Sequence, residues 1–294
     1  MDEHEWLTER FEEHRARLRA VAYRMLGSFS EADDAVQDAW MRVSRADTSG
    51  VENLDGWLTT VVARVCLNML RSRDRRREEP LNIRVPDPIV TTESGVDPEQ
   101  EAVLADSVGL ALLVVLETLT PAERLAFVLH DMFGLPFDEI APMIERSPAA
   151  ARQLASRARR RVRGQAPAPD RDLARQREVV DAFFAASRDG DFDALLAVLD
   201  DDVVLRSDGG RKRPRLTLTV QGARAVAEQA FVGRQLGPFV RPALINGTAG
   251  AVVVTRGGPM TVLAFTVTEG KIVAIDVLAD PERLNQLDLS ALDD

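Results

Sequence analysis

Two proline-punctuated connectors divide this chain and constrain its folding more than any other feature. Residues 78–106 carry Pro80, Pro86, Pro88 and Pro98. The same stretch sets eight acidic residues (Glu78, Glu79, Asp87, Glu93, Asp97, Glu99, Glu101, Asp106) against Arg84 alone, a net charge of −7. A second connector, Gln165-Ala166-Pro167-Ala168-Pro169, follows Gly164. Proline cannot continue a helix interior or a central strand, so no single regular core runs through either segment. With 294 residues, two or three domains are expected. A connector as long as 78–106 is usually functional or disordered.

Before the first connector the pattern is helical. Residues 5–26 place Leu18, Val21, Ala22, Met25 and Leu26 on one stripe, closed by Gly27. Ser30 reads as the N-cap of a second helix to about Arg45, with Glu31, Asp33 and Asp34 at its positive end. Ala32, Ala35, Val36, Ala39, Trp40 and Val43 form its apolar face. The polar stretch 46–54 is a loop. Asp55 reads as the cap of a third helix, 56–77, with Trp57, Val61, Val65 and Met69 every four residues and Leu58, Val62 and Cys66 beside them.

Between the connectors four helices are expected. The first, 107–118, is apolar on most sides. Thr120-Pro121 and Ser147-Pro148 are each a cap followed by proline at the first helical position. They open helices ending near Gly134 and near Arg163, and Pro136 opens a short helix to about Glu145. Short helix, tight turn and Arg-rich helix make a helix-turn-helix pattern. After residue 172 the pattern becomes α+β. Helices are expected at 172–188, 191–199 and 222–232. Strands are expected at 202–206, 215–220, 243–246, 251–255, 260–268 and 271–278, with glycines between the later ones.

The net charge of −10 argues against nucleic-acid binding over the whole surface but not against local basic patches. Cys66 is the only cysteine, which excludes an intrachain disulfide and fits a reducing, cytoplasmic setting. The N-terminus is acidic and no long apolar run follows, so neither a signal peptide nor a membrane span is expected. His4, His14 and His130 have no partners at ligand spacing, so neither a metal site nor a bound cofactor is expected.

Three sets of residues stand out. Asp34, Gln37, Asp38 and Met41 share the polar face of the second helix, opposite its apolar face. They make either a solvated surface or an acidic docking face for a basic partner. On the third helix Thr60, Arg64, Asn68, Arg71 and Arg75 recur every three or four residues, and 71–77 holds five arginines against Asp74. Arginine complements a helix C-terminus in any case, but this density with hydroxyl and amide groups upstream suits phosphate and base contact. The helix from 148 is the sharpest signal. Residues 146–163 contain seven arginines and no acid. Ala151, Leu154, Ala155, Ala158 and Val162 make its apolar side. Arg152, Gln153, Ser156 and Arg157 lie on the early turns that reach base edges, and Arg160 and Arg163 are placed for phosphates.

The order of segments, with Ala35-Val36-Gln37-Asp38-Ala39-Trp40, Gly56-Trp57-Leu58-Thr59-Thr60, Thr120-Pro121-Ala122-Glu123-Arg124 and Phe137-Asp138-Glu139-Ile140-Ala141, resembles the extracytoplasmic-function group of bacterial sigma factors. The resemblance covers about residues 5–163. Where that family often has Lys-Ser-Arg in its recognition helix, this chain has Arg152-Gln153-Leu154. Residues 172–284 resemble a SnoaL-like domain, a cone-shaped α+β fold carried as an extension by one subgroup. Asp208-Gly209-Gly210-Arg211-Lys212, Asp280-Pro281-Glu282-Arg283-Leu284 and Pro86-Asp87-Pro88 are similar to that subgroup's shared patches.

The resemblance implies two all-α domains, 1–77 and 107–164, joined by the acidic linker 78–106 and followed by an α+β domain at 172–294. It implies that Asp34, Gln37, Asp38 and Met41 dock on core RNA polymerase. The third helix and the 46–54 loop would open the −10 element, and the helix-turn-helix would read the −35 element of promoter DNA. It further implies that the linker threads the polymerase cleft. Asp208, Gly209, Gly210, Lys212, Asp280, Pro281, Arg283 and Leu284 are expected to be regulatory contacts of the tail with the first domain or the linker. Catalysis by the tail is not expected, because an isomerase or cyclase needs a pocket acid or base and only Asp202, Asp208 and Asp276 lie near predicted strands. A ligand-responsive repressor and an enzyme with a DNA-binding appendage are the other readings. The repressor leaves the N-terminal helices without a role.

Overall fold

The computed structural model describes residues 3–48, 50–51, 53–76, 84–92, 109–289 and 292. They divide into two compact units. One holds the chain up to residue 76 together with 115–165, and the other holds 84–92, 109–114 and the chain from 166 onward.

In the helical unit, α1 (Glu3–Leu26), α2 (Phe29–Val43) and α3 (Leu54–Arg76) pack on one another. Phe11, Leu18, Val21 and Met25 meet Ala35, Val36, Ala39, Leu58, Val62 and Cys66 in a dry core. Burial pushes the Cys66 thiol up to about 12. Two caps lie elsewhere than the sequence suggests. Ser28, not Ser30, precedes α2, and their hydroxyls share a contact at 3.2 Å. Asn53, not Asp55, accepts from the Gly56 N–H at 3.1 Å. Asp55 instead faces His14 Nδ1 at 2.7 Å, so that histidine does have a carboxylate partner. The buried face of α3 is also turned from the expected one: Thr59 is buried, whereas Trp57, Val61 and Met69 are half-buried.

The chain continues with α4 (Leu110–Glu117), α5 (Pro121–Phe127, extended by a π-turn to Met132), α6 (Phe137–Ile140) and α7 (Pro148–Gln165). Thr120 and Glu123 form a reciprocal capping box at the start of α5. His130 is structural: its Nδ1 lies 2.8 Å from the Leu135 carbonyl and its ring stacks on Phe137. Buried Ala151, Ala155 and Ala158 let α7 approach α5 closely, while Leu154 and Val162 are only half-buried.

The second unit is α+β. Its helices α8 (Leu173–Asp189), α9 (Phe192–Val198) and α10 (Ala223–Gly233) pack on a curved sheet. The strands are β1 (Val90–Thr91), β2 (Leu199–Asp208), β3 (Leu218–Gln221), β4 (Val240–Ile245), β5 (Thr248–Thr255), β6 (Gly258–Thr268) and β7 (Lys271–Leu278), in the order β1-β4-β5-β6-β7-β2-β3. Among the described strands only the β2–β7 pair is parallel. Val180, Phe183, Leu195, Val226, Phe265 and Ile275 form the core between helices and sheet. A short helix, α11 (Pro281–Leu284), follows β7 and is capped by the Asp280 carboxylate.

Both connectors are packed on the α+β unit where they are described. From Val85 to Thr91 every residue is buried, and β1 lies at the edge of the sheet. Of the acidic linker 78–106, residues 78–83 and 93–106 lie outside the described residues. In the second connector, Asp170 donates its N–H to the Val267 carbonyl at 2.8 Å and accepts from the N–H groups of Glu269 and Gly270. Those two backbone bonds hold its carboxyl below the usual range. Buried Gln176 bridges the Asp170 carbonyl and the Ala249 N–H. Residues 168–170 are therefore stitched to the β6–β7 hairpin instead of forming a free tether.

Candidate nucleic-acid and protein interfaces

On α2 the apolar positions turn inward and leave Asp34, Gln37 and Met41 exposed, with Asp38 half-exposed beside them. Asp38 pairs with Arg42 at 2.8 Å one turn along, and Met41 is 46% exposed, unusual for so large an apolar side chain. The surface is thus acidic with an apolar centre. On α3, Arg64 and Asn68 are exposed, the Thr60 hydroxyl donates to the Gly56 carbonyl at 2.8 Å, and Arg75 donates to the Arg71 carbonyl. Arg73 turns away: it pairs with Glu31 and donates to the Leu26 carbonyl, fixing α3 to α2. The arginine run is therefore partly architectural.

On α7 the three alanines face inward, and Arg152, Gln153, Ser156, Arg157, Arg160 and Arg163 lie on the exposed surface. Two of these are engaged within the unit. The Arg152 guanidinium sits 5.3 Å from the Phe137 ring centre, and Arg157 Nε donates to Glu123 at 3.0 Å. Burial pushes the Glu123 carboxyl up, but hydrogen bonds from Arg157 and Thr120 outweigh it and leave it below the usual range. Arg159 is taken by Asp131 at 2.5 Å. Sequence reasoning missed Arg124, one of the largest fully buried side chains. Its guanidinium meets Glu117 at 2.7 Å and donates to the Arg24 carbonyl at 3.2 and 3.3 Å, which ties α5 to α1.

The third constellation lies in the α+β unit. Asp208, at the end of β2, accepts from Arg283 Nη1 at 2.8 Å and from the Val85 N–H at 3.2 Å on one oxygen, and from the Gly210 N–H at 3.0 Å on the other. Arg283 also donates to Asp87 at 2.6 Å and to the Val85 carbonyl. Asn246, buried with φ +50, exchanges two bonds with Ile89: its Oδ1 takes the Ile89 N–H at 3.0 Å, and its own N–H gives to the Ile89 carbonyl at 2.8 Å. The two glycines are required by close approach. A Cβ on Gly209 would lie 2.0 Å from the Arg213 carbonyl oxygen, and one on Gly210 would lie 2.1 Å from Asp280. Leu284 is buried, Pro281 opens α11, and Lys212 meets Glu282 in an exposed pair at 3.0 Å. Of the tail residues singled out by the sequence, Asp208 and Arg283 thus hold residues 85–87, and the others lie in the loop and helix that carry those two. Asp87, Val85 and Asn246 were not singled out individually. The one available signal was Asp87 between two prolines, a spacing that suits an edge strand short of N–H donors.

Of the carboxylates weighed as acid or base candidates, Asp202 is exposed and Asp208 is held as above. Asp276 does not end in solvent: it lies within β7, buried, and accepts from Arg206 at 3.1 Å. Its burial raises its pKa despite that arginine.

The Sigma-70 region 2 model matches residues 10–76, and the Sigma-70, region 4 model matches residues 109–162. The ECF RNA polymerase sigma factor SigJ of Mycobacterium tuberculosis is 39% identical over 290 residues, 93% of this chain and 91% of that protein. This chain belongs to the ECF RNA polymerase sigma factors. A probable ECF sigma factor of the same species, SigI, is 36% identical over 98% of both chains. The crystal structure of M. tuberculosis SigJ superposes with a TM-score of 0.77 at 36% identity, covering 96% of this chain and 99% of that one. The similarity therefore extends through the α+β domain as well as the sigma regions. Promoter-specific initiation of transcription is the activity of this family, and the fold is two helical sigma regions followed by an α+β domain. Among the described residues no helix is long and apolar enough to cross a membrane.

Proposed function

We propose that this sigma factor docks on core RNA polymerase through Asp34, Gln37, Asp38 and Met41 and works in the cytoplasm on promoter DNA. In this reading α3, with Thr60, Arg64, Asn68, Arg71 and Arg75, acts on the −10 element and α7 reads the −35 element. Residues 1–77 and 107–164 are the two functional modules, and 172–294 regulates them. The observation that carries the reading is the exposed arginine face of α7, backed by three buried alanines. A recognition helix must lie shallow enough to enter a major groove. The C-terminal domain is read as regulatory and not as an enzyme, because Asp208 and Asp276 are committed to structural pairs. The discriminating experiment is run-off transcription with purified core polymerase, alongside a gel shift with and without it. Tight promoter binding by the free protein, unchanged by polymerase, favours a repressor instead.

Asp38→Arg should abolish or strongly weaken capture of core polymerase while leaving thermal unfolding within a few degrees. The exposed Asp38–Arg42 pair it removes is worth only about 0.3–0.5 kcal/mol. Capture at the wild-type level would remove α2 from the docking face.

Arg152→Ala and Arg157→Ala should each relax preference at one or two promoter positions, at about 1–3 kcal/mol per lost bidentate contact. When Arg157 is lost, buried Glu123 keeps Arg161 at 3.7 Å and its bonds from Thr120, so thermal unfolding is measured beside the DNA readout. Arg160→Ala and Arg163→Ala should weaken all sequences alike and flatten the salt dependence. Identical behaviour of all four across a promoter library would show that the register assigned to α7 is wrong.

A further inference from the structure

Between the helices and the sheet of the C-terminal domain lies a cavity of about 130 Å³. Phe183 and Phe184 of α8, Leu205 of β2, Val253 of β5, Leu263 of β6 and Ile275 of β7 make its walls. Among the described residues no carboxylate lines it. Among its lining residues Arg188 at the end of α8, Gln229 on α10 and Arg234 just after α10 are exposed and mark its opening, while Thr261 of β6 is buried. Arg188 has only a loose, exposed contact with its neighbour Asp189, at 3.9 Å. The Ser187 hydroxyl is spent on the Ala230 carbonyl at 3.1 Å, which pins α8 to α10 beside the opening.

We infer that this cavity binds a small monocarboxylate whose apolar body is about the size of one aromatic ring, with its carboxylate between Arg188 and Arg234. The size follows from the volume, since an apolar cavity of roughly 150 Å³ stays dry and takes up benzene. The charge follows from the rim. Two guanidinium groups and no acid favour an anionic head, and guanidinium binds carboxylate in a matched two-pronged geometry. Binding without turnover follows from the walls, which are mostly hydrocarbon, with the Thr261 hydroxyl spent on the Leu278 carbonyl at 2.9 Å. Asp276, the buried carboxylate of β7, belongs to the Arg206 pair and is not among the lining residues. The site is independent of the promoter-reading assignment, so either can stand without the other.

The test uses the full-length chain, with phenylacetate and its neutral analogue 2-phenylethanol as probes in calorimetric titrations at low salt. Phenylacetate should bind saturably and roughly tenfold or more tighter than the alcohol, as a charge-assisted contact over a neutral one implies. Arg188→Gln combined with Arg234→Gln should erase that preference and leave alcohol binding unchanged. Ala230→Leu and Val253→Phe, which fill the cavity from a helix and from a strand, should each remove binding of both probes while the chain still unfolds cooperatively. Equal affinity of the wild type for acid and alcohol overturns the carboxylate assignment. Absence of binding by both probes, or full binding by both cavity-filled variants, overturns the site itself.

Discussion

Arg124→Ala should destabilise the helical unit by about 3–5 kcal/mol, the usual cost of deleting one partner of a buried ion pair. The guanidinium is 2% exposed and lies against Glu117, itself 10% exposed, and it also donates to the Arg24 carbonyl. Alanine would remove the cation facing Glu117 and open a void at the α5–α1 contact. Arg124→Met combined with Glu117→Leu should recover most of the loss, because a well-packed apolar pair of similar volume can replace a buried ion pair at little cost. The readout is built into the chain. Its three tryptophans, Trp6, Trp40 and Trp57, all lie in α1, α2 and α3, so their fluorescence during urea unfolding follows this unit alone. A midpoint for Arg124→Ala within a few tenths of a kcal/mol of wild type would mean that the buried pair holds nothing together.

Arg124 also marks what periodicity cannot reveal. The sequence placed it in a helix by its Thr-Pro cap, and an arginine on a short amphipathic helix reads as exposed. Only the tertiary approach of α5 to α1 buries it. The helices themselves were legible, because apolar spacing, proline at first turns and glycine stops all act locally. Caps were less so: Ser28 and Ser30 are equivalent in sequence, as are Asn53 and Asp55, and burial of the flanking turns decides between them. The exposed face of α7 was legible because alanine at every third or fourth position is a packing requirement that leaves the arginines outside. The partner of Arg157 was not, since Glu123 lies on another helix 34 positions away. The sequence marked Pro86-Asp87-Pro88 as a patch and set the connector among the tail's expected contacts, but it did not show what meets Asp87. Its charge is met by Arg283, which is 196 positions distant, and no local pattern encodes such a pair.

Arg283→Ala should release residues 84–92 from the C-terminal domain. Arg283 is one cation serving two nearly buried carboxylates, Asp87 and Asp208, whose side chains are 6% and 8% exposed, and it also donates to the Val85 carbonyl. Without it two nearly buried carboxylates lose the cation they share. The expected loss is again about 3–5 kcal/mol, concentrated on this segment. Val85 donates its N–H to Asp208, so its amide should exchange much faster in the variant, whereas amides in the β5–β6 ladder should be spared. Arg283→Lys should restore only part of the protection, because an ammonium lacks the fork that reaches Asp87, Asp208 and the Val85 carbonyl together. The functional consequence rests on position in the chain. Residues 84–92 fall between α3 and the helices that lead to α7, so a contact that holds them acts on the segment joining the two proposed DNA-contacting modules. Freeing them should change transcription from promoters of different −35 to −10 spacing unequally, while leaving the surfaces of α2, α3 and α7 untouched. If Val85 exchanges at the wild-type rate in Arg283→Ala, the ion pairs do not hold the segment. If it exchanges fast but transcription is unchanged at every spacing, the C-terminal domain holds the connector without regulating through it.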